Sequence, residues 1–101
     1  MLLAKEYLPI GSVVLLKNGI RKAMVIGIMP IITDKTGEQR SYDYTGVIYP
    51  EGLLSIEASF VFNQDQITEV IFRGYENSER ADFIKKIEEN MERLKESDGN
   101  R

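Results

Sequence analysis

The sequence predicts an α+β domain: a small, strongly bent antiparallel sheet or SH3-like barrel of four to five strands, followed by one C-terminal helix. Three observations predict it. Up to Tyr75, strand-length apolar runs rich in β-branched residues alternate with Asn-Gly, Pro and Gly stops. Beyond Tyr75 the apolar residues adopt a three-four-three spacing, which marks one face of a helix. The length, 101 residues with 43% hydrophobic and 29% charged, fits a single domain over residues 1–101, with a β body over 8–75 and a helix over 78–97.

Each element has a local cause. Residues 1–10 form a lead-in punctuated by Leu8-Pro9-Ile10-Gly11, where Pro fixes φ and Gly permits a sharp turn. Ser12-Val13-Val14-Leu15-Leu16-Lys17 is the first strand, and Asn18-Gly19 is a hairpin signal because both residues tolerate positive φ. Lys22 to Met29 is the second strand, closed by Pro30. The continuous apolar character of both predicts burial on two faces, as in a small closed barrel.

Thr33-Asp34-Lys35-Thr36-Gly37-Glu38 reads as a polar turn projecting from the body. The third strand, Tyr42 to Tyr49, alternates in part, and Gly46 within it marks a bulge or a close backbone approach. Pro50-Glu51-Gly52 stops it. Leu53 to Phe62 has no clear period, Asn63-Gln64-Asp65-Gln66 reads as a tight turn, and Ile67 to Phe72 is the final strand. The helix runs from about Glu79 to Glu96. Asn77 or Ser78 is its N-cap, Glu79 and Asp82 favour its positive end, and Gly99 closes it. Ile84, Ile87, Met91 and Leu94 make its stripe, with Phe83 beside them.

Composition narrows the function. The chain has no Cys and no His, which removes disulfides, thiolate nucleophiles, the usual zinc ligands and the commonest general base. Ser-x-x-Lys, Gly-x-Gly-x-x-Gly and the phosphate-cradling Gly-x-x-x-x-Gly-Lys-Ser/Thr are absent. Asp34 to Glu38 lacks the alternating acidic ligands of a calcium loop. Asp43 and Glu51, the best carboxylate pair for glycosidase chemistry, read as solvated carboxylates near a turn. A non-enzyme with no metal and no cofactor is expected.

The formal charge of −3 is evenly distributed, with seven basic and eight acidic residues up to Tyr75 and six against eight beyond it. Such a balance lacks the basic surface that nucleic acid requires. Lys5 and Glu6 interrupt any signal-peptide core, and the longest uncharged run, Ala23 to Thr33, falls short of the ~20 residues of a membrane span. A soluble cytoplasmic protein is therefore expected.

Binding remains. Tyr42, Tyr44, Tyr49 and Tyr75 combine apolar area with a polar tip, although a body this small needs some of them in its core. Phe83, Ile84 and Ile87 are expected to dock the helix, while Met91 and Leu94 lie further along, available to a partner helix groove, to the body or to a second copy. The interface candidates are Tyr49, Tyr75, Ile87, Met91 and Leu94, with a homodimer through the C-terminal helix as one arrangement.

Three stretches carry a family resemblance: Leu8 to Lys17, Tyr42-Asp43-Tyr44-Thr45-Gly46-Val47-Ile48-Tyr49-Pro50-Glu51-Gly52, and Phe62 to Ile67 leading into Val70 to Tyr75. The middle one is the most specific. Together they resemble a family of small Gram-positive proteins classed as a domain of unknown function, commonly encoded beside the LXG-domain toxins of the type VII secretion system. The resemblance runs from about Leu8 to the C-terminal helix. It implies a cytoplasmic chaperone or targeting adaptor that binds the toxin's helical N-terminal domain together with other small accessory proteins. No catalytic residues are described for the family, so none is carried over. An immunity protein neutralising the toxin, or a generic interaction module, is the alternative.

Overall fold

A computed structural model describes residues 3–99, with side chains described through residue 90. The chain forms two compact units, Leu8–Tyr75 and a unit of the two chain ends, Met1–Tyr7 with Glu76–Arg101.

The Leu8–Tyr75 unit carries seven strands: β1 (Val13–Leu16), β2 (Lys22–Ile28), β3 (Ile31–Thr33), β4 (Gln39–Ser41), β5 (Tyr44–Ile48), β6 (Phe60–Phe62) and β7 (Ile67–Phe72). Five of them make one antiparallel sheet in the order β6-β5-β2-β1-β7, and β3 pairs with β4 in a separate two-stranded ribbon. The α+β class with an antiparallel sheet and one C-terminal helix is therefore present. Closure into a barrel is not: among the described residues β6 and β7 are the two edges and do not pair.

The hairpin joining β1 to β2 follows from Asn18, which takes φ 62°, and from the bond that Gly19 N–H donates to the Leu16 carbonyl at 3.0 Å. The polar turn expected at Thr33–Glu38 is present, and the flanking residues, not expected as strands, form the β3–β4 ribbon around it. Its turn is organised by Asp34, whose Oδ1 accepts from the Thr36 N–H, the Thr36 hydroxyl and the Glu38 N–H at 2.6–3.0 Å. Those bonds hold the Asp34 carboxyl below the usual carboxylate range, the Thr36 hydroxyl contributing most. All residues from Ile31 to Ser41 are exposed.

Burial on two faces, expected for both strands, holds on β1, where the adjacent Val13 and Val14 are buried, but not on β2, where Ala23 and Val25 are buried and Lys22 and Ile26 exposed. Tyr44, Val47 and Phe62 complete the buried set of the sheet. Val25 pairs with Gly46 and Gly27 with Thr45, so Ile26 is the extra residue of a bulge. Gly46 opposite it meets the expectation of a close approach: a Cβ there would lie 2.7 Å from Phe62 Cε1 and 3.1 Å from the Met24 carbonyl oxygen. Tyr44 fixes the chain entry to this core. Its hydroxyl accepts from the Leu8 N–H at 2.9 Å and donates to Gln64 Oε1. Tyr44 and Phe62 also pack as tilted rings with centroids 5.3 Å apart.

In the other unit, α1 (Ser78–Gly99) starts from Asn77, whose Oδ1 accepts the Arg80 N–H at 3.0 Å. The helix runs past Glu96 and is still helical at Gly99, the last described residue, so Gly99 lies within it and is not a cap beyond Glu96. Arg80 reaches Glu76 at 3.5 Å and donates to the Tyr7 carbonyl, which ties the short 3-10 turn at Ala4–Glu6 to the helix start. Ile84 is buried and Ile87 half-buried.

Candidate interaction groove

The Leu8–Tyr75 unit carries an open apolar groove of about 560 Å³ on one face of the sheet. Its floor follows from the strand register. Phe72 on β7 pairs with Val13 on β1, Val13 with Met24 on β2, and Met24 with Val47 on β5. Directly opposed residues point to the same side of a sheet, so these four side chains form one apolar row, of which Phe72, Val13 and Met24 line the groove. The row runs from fully buried Val47 to Phe72, which is 60% exposed.

A bulge supplies the outer wall. Val13 pairs with Phe72 but Val14 pairs with Val70, leaving Ile71 as an extra residue on β7. In a regular strand Ile71 and Phe72 would point to opposite faces, whereas the bulge brings both to the groove lining. Tyr49 lines it from the other side, 45% exposed, with its N–H donated to the Lys22 carbonyl at 2.9 Å. Gly11 completes the lining with φ 92°, and Gly74 packs closely behind it: a Cβ at Gly74 would lie 2.3 Å from the Ile10 carbonyl oxygen. The Gly74 N–H also donates to the hydroxyl of fully buried Ser12 at 2.9 Å.

Lys22 is the single charged residue of the lining. Its neighbour Arg21 is paired with Glu51, which clamps the β1–β2 loop to the turn after Tyr49 and holds the Glu51 carboxyl below the usual carboxylate range. No ion pair is made by Lys22 among the described residues.

The sequence-predicted interface residues are divided between the two units. Tyr49 lines the groove. Tyr75 is 79% exposed but does not line it, and Ile87 is half-buried in the other unit. The side chains of Met91 and Leu94 lie outside the described residues. Val13, Met24, Ile71 and Phe72 were not singled out as site residues by sequence reasoning, and the signal for them is the register and not the composition.

The carboxylates weighed for catalysis are engaged elsewhere. Asp43 accepts the Gln64 N–H at 2.8 Å, its own N–H donates to Asn63 Oδ1 at 3.0 Å, and Glu51 holds Arg21. Among the described residues no group of three or more Asp and Glu side chains is placed to hold a metal ion, and no helix is long and apolar enough to cross a membrane. Another concavity, about 280 Å³ in the terminal unit, is bordered by Arg80 and Glu76, which already bind each other.

No curated protein matches the chain, and no solved structure does. A family model does, across residues 7–83, so that the whole groove, Tyr49 and Tyr75 fall inside the match while Ile87, Met91 and Leu94 fall beyond it. By that match the chain belongs to the family described as a domain of unknown function, DUF4176.

Proposed function

We propose that the protein is a non-enzymatic accessory factor, a cytoplasmic chaperone or targeting adaptor that binds an LXG-type toxin of the type VII secretion system. One observation carries the reading. Tyr42–Gly52, the stretch on which the resemblance to toxin-associated proteins is most specific, is also the stretch that delivers Tyr49 to an exposed apolar groove. Apolar area edged by Tyr and Phe matches the aromatic enrichment of protein-binding surfaces. The lack of His and Cys and the structural use of Asp43 and Glu51 favour binding over catalysis.

Co-expression with a neighbouring LXG toxin, followed by capture on the toxin, tests the reading. The N-terminal half of the toxin, alone or with its other small partners, is expected to retain this protein. Retention by the C-terminal half alone replaces the escort reading with an immunity role, and retention by neither half ends both.

A further inference from the structure

We propose that the groove seats an apolar segment of a partner protein that carries an acidic side chain, and that this carboxylate meets Lys22. The inference rests on the protein-binding reading of the same groove and specifies the chemistry of what enters it.

The apolar half of the complement follows from the floor and wall. Phe72, Val13 and Met24 form one row, Ile71 is turned in by the bulge, and Tyr49 faces them. The acidic half follows from charge. Lys22 is the sole charge of the lining, while Arg21 beside it is already neutralised by Glu51. Glu69 shares the Lys22 row through Leu15, yet it stands one strand further out, on β7, and outside the lining. Because Lys22 is exposed, an uncharged segment gains nothing from its ammonium group, a basic one adds repulsion, and a carboxylate gains an exposed charge pair. Lys22 and Met24 are two residues apart on one strand, about 7 Å. The acidic group and the bulky apolar group of the segment must therefore lie within about that distance of each other.

The test uses the full-length protein, isotopically labelled, and a capped hexapeptide containing one Phe, two Leu, two Thr and one Glu. Its twins carry Gln or Lys in place of Glu. Amide shifts are expected at Gly11, Lys22, Met24, Ile71 and Phe72, with the Glu peptide binding about threefold tighter than the Gln twin and the Lys twin weakest, as for an exposed charge pair. Lys22→Gln should level the three affinities and Lys22→Glu should invert their order. Lys22 is exposed, so both variants are expected to unfold at the wild-type temperature. Equal affinities on wild type, an order unmoved by Lys22→Glu, shifts confined to other residues, or no binding at millimolar peptide overturns the proposal. The toxin capture separates the two readings. If the wild type is retained by the toxin and Lys22→Glu equally so, this inference fails and the escort reading stands. If the toxin retains nothing but the peptide order holds, the reverse is true.

Discussion

Gly46→Ala tests the packing at the centre of the sheet. Gly46 lies on β5 facing the β2 bulge, and its φ is not in the left-handed region, so backbone strain does not enter. The new methyl would sit 2.7 Å from Phe62 Cε1 and 3.1 Å from the Met24 carbonyl oxygen. Neither can retreat. Phe62 is 2% exposed and packed between Tyr44 and Phe60, and the Met24 oxygen belongs to the central strand. Overpacking of this kind costs about 1–3 kcal/mol, while Gly to Ala recovers about 0.4–1 kcal/mol through the unfolded chain. The net loss expected is about 1–2 kcal/mol, or a Tm lower by about 5–15 °C. Gly27→Ala is the control. Its methyl would meet only the Thr45 side chain, at 3.3 and 3.5 Å, and Thr45 is half-buried and able to give. It should stay within about 0.5 kcal/mol of wild type. Urea unfolding followed by circular dichroism measures both. Phe62→Leu removes the clashing atom, so the double variant should be less unstable than the sum of the singles, by about 1 kcal/mol. Equal stability of the two alanine variants, or additivity with Phe62→Leu, would refute the steric account.

Tyr44→Phe removes the acceptor of the Leu8 N–H and the donor to Gln64 and should cost about 1–3 kcal/mol, read from the urea midpoint. Asn77→Ala removes the side-chain acceptor of the Arg80 N–H and should lower helix content at moderate temperature, at a cost of about 0.5–2 kcal/mol. Glu51 has its pKa lowered by Arg21, so its contribution is present above the ordinary carboxylate pKa and is lost as pH falls through the lower folded value. Glu51→Gln should therefore lose its stability difference from wild type on acidification below about pH 4, a comparison that unfolding midpoints at pH 7 and pH 3 make directly.

Elements with a strong local signal were legible in the sequence. Asn18-Gly19 turns β1 into β2, Pro30 ends β2, Ile67–Phe72 is a strand, and Asn77 caps the helix. Elements set by pairing were not. β3 and β4 are three residues each, and their two adjacent isoleucines, Ile31 and Ile32, show no alternation. What makes them a ribbon is the Asp34 turn and the bonds from Met29 N–H to the Asp43 carbonyl and from Tyr42 N–H to the Pro30 carbonyl. β6 is equally short and was hidden in an aperiodic stretch. Of the four tyrosines weighed together, Tyr44 is buried, Tyr42 half-buried, and Tyr49 and Tyr75 exposed, a division that composition has no means to make. The groove was legible only at Tyr49, because a bulge at Ile71 leaves no mark in a run that reads as an ordinary strand.

That bulge also bears on how a partner would engage the sheet. β7 is an edge strand of six residues, exposed beyond Ile67 and mostly apolar, the kind of edge that invites another strand. Two features oppose strand addition there. The register slips at both Thr68 and Ile71, so the strand has two bulges in six residues, and Glu69 places a charge between them. Bulges and charges are the means by which edges resist pairing. The same irregularity that spoils the edge as a template turns Ile71 onto the face beside Phe72, where it adds to the groove. The apolar area of β7 is thus withdrawn from backbone pairing and offered to side chains, and association through this unit should depend on which side chains a partner presents and not on its capacity to extend the sheet.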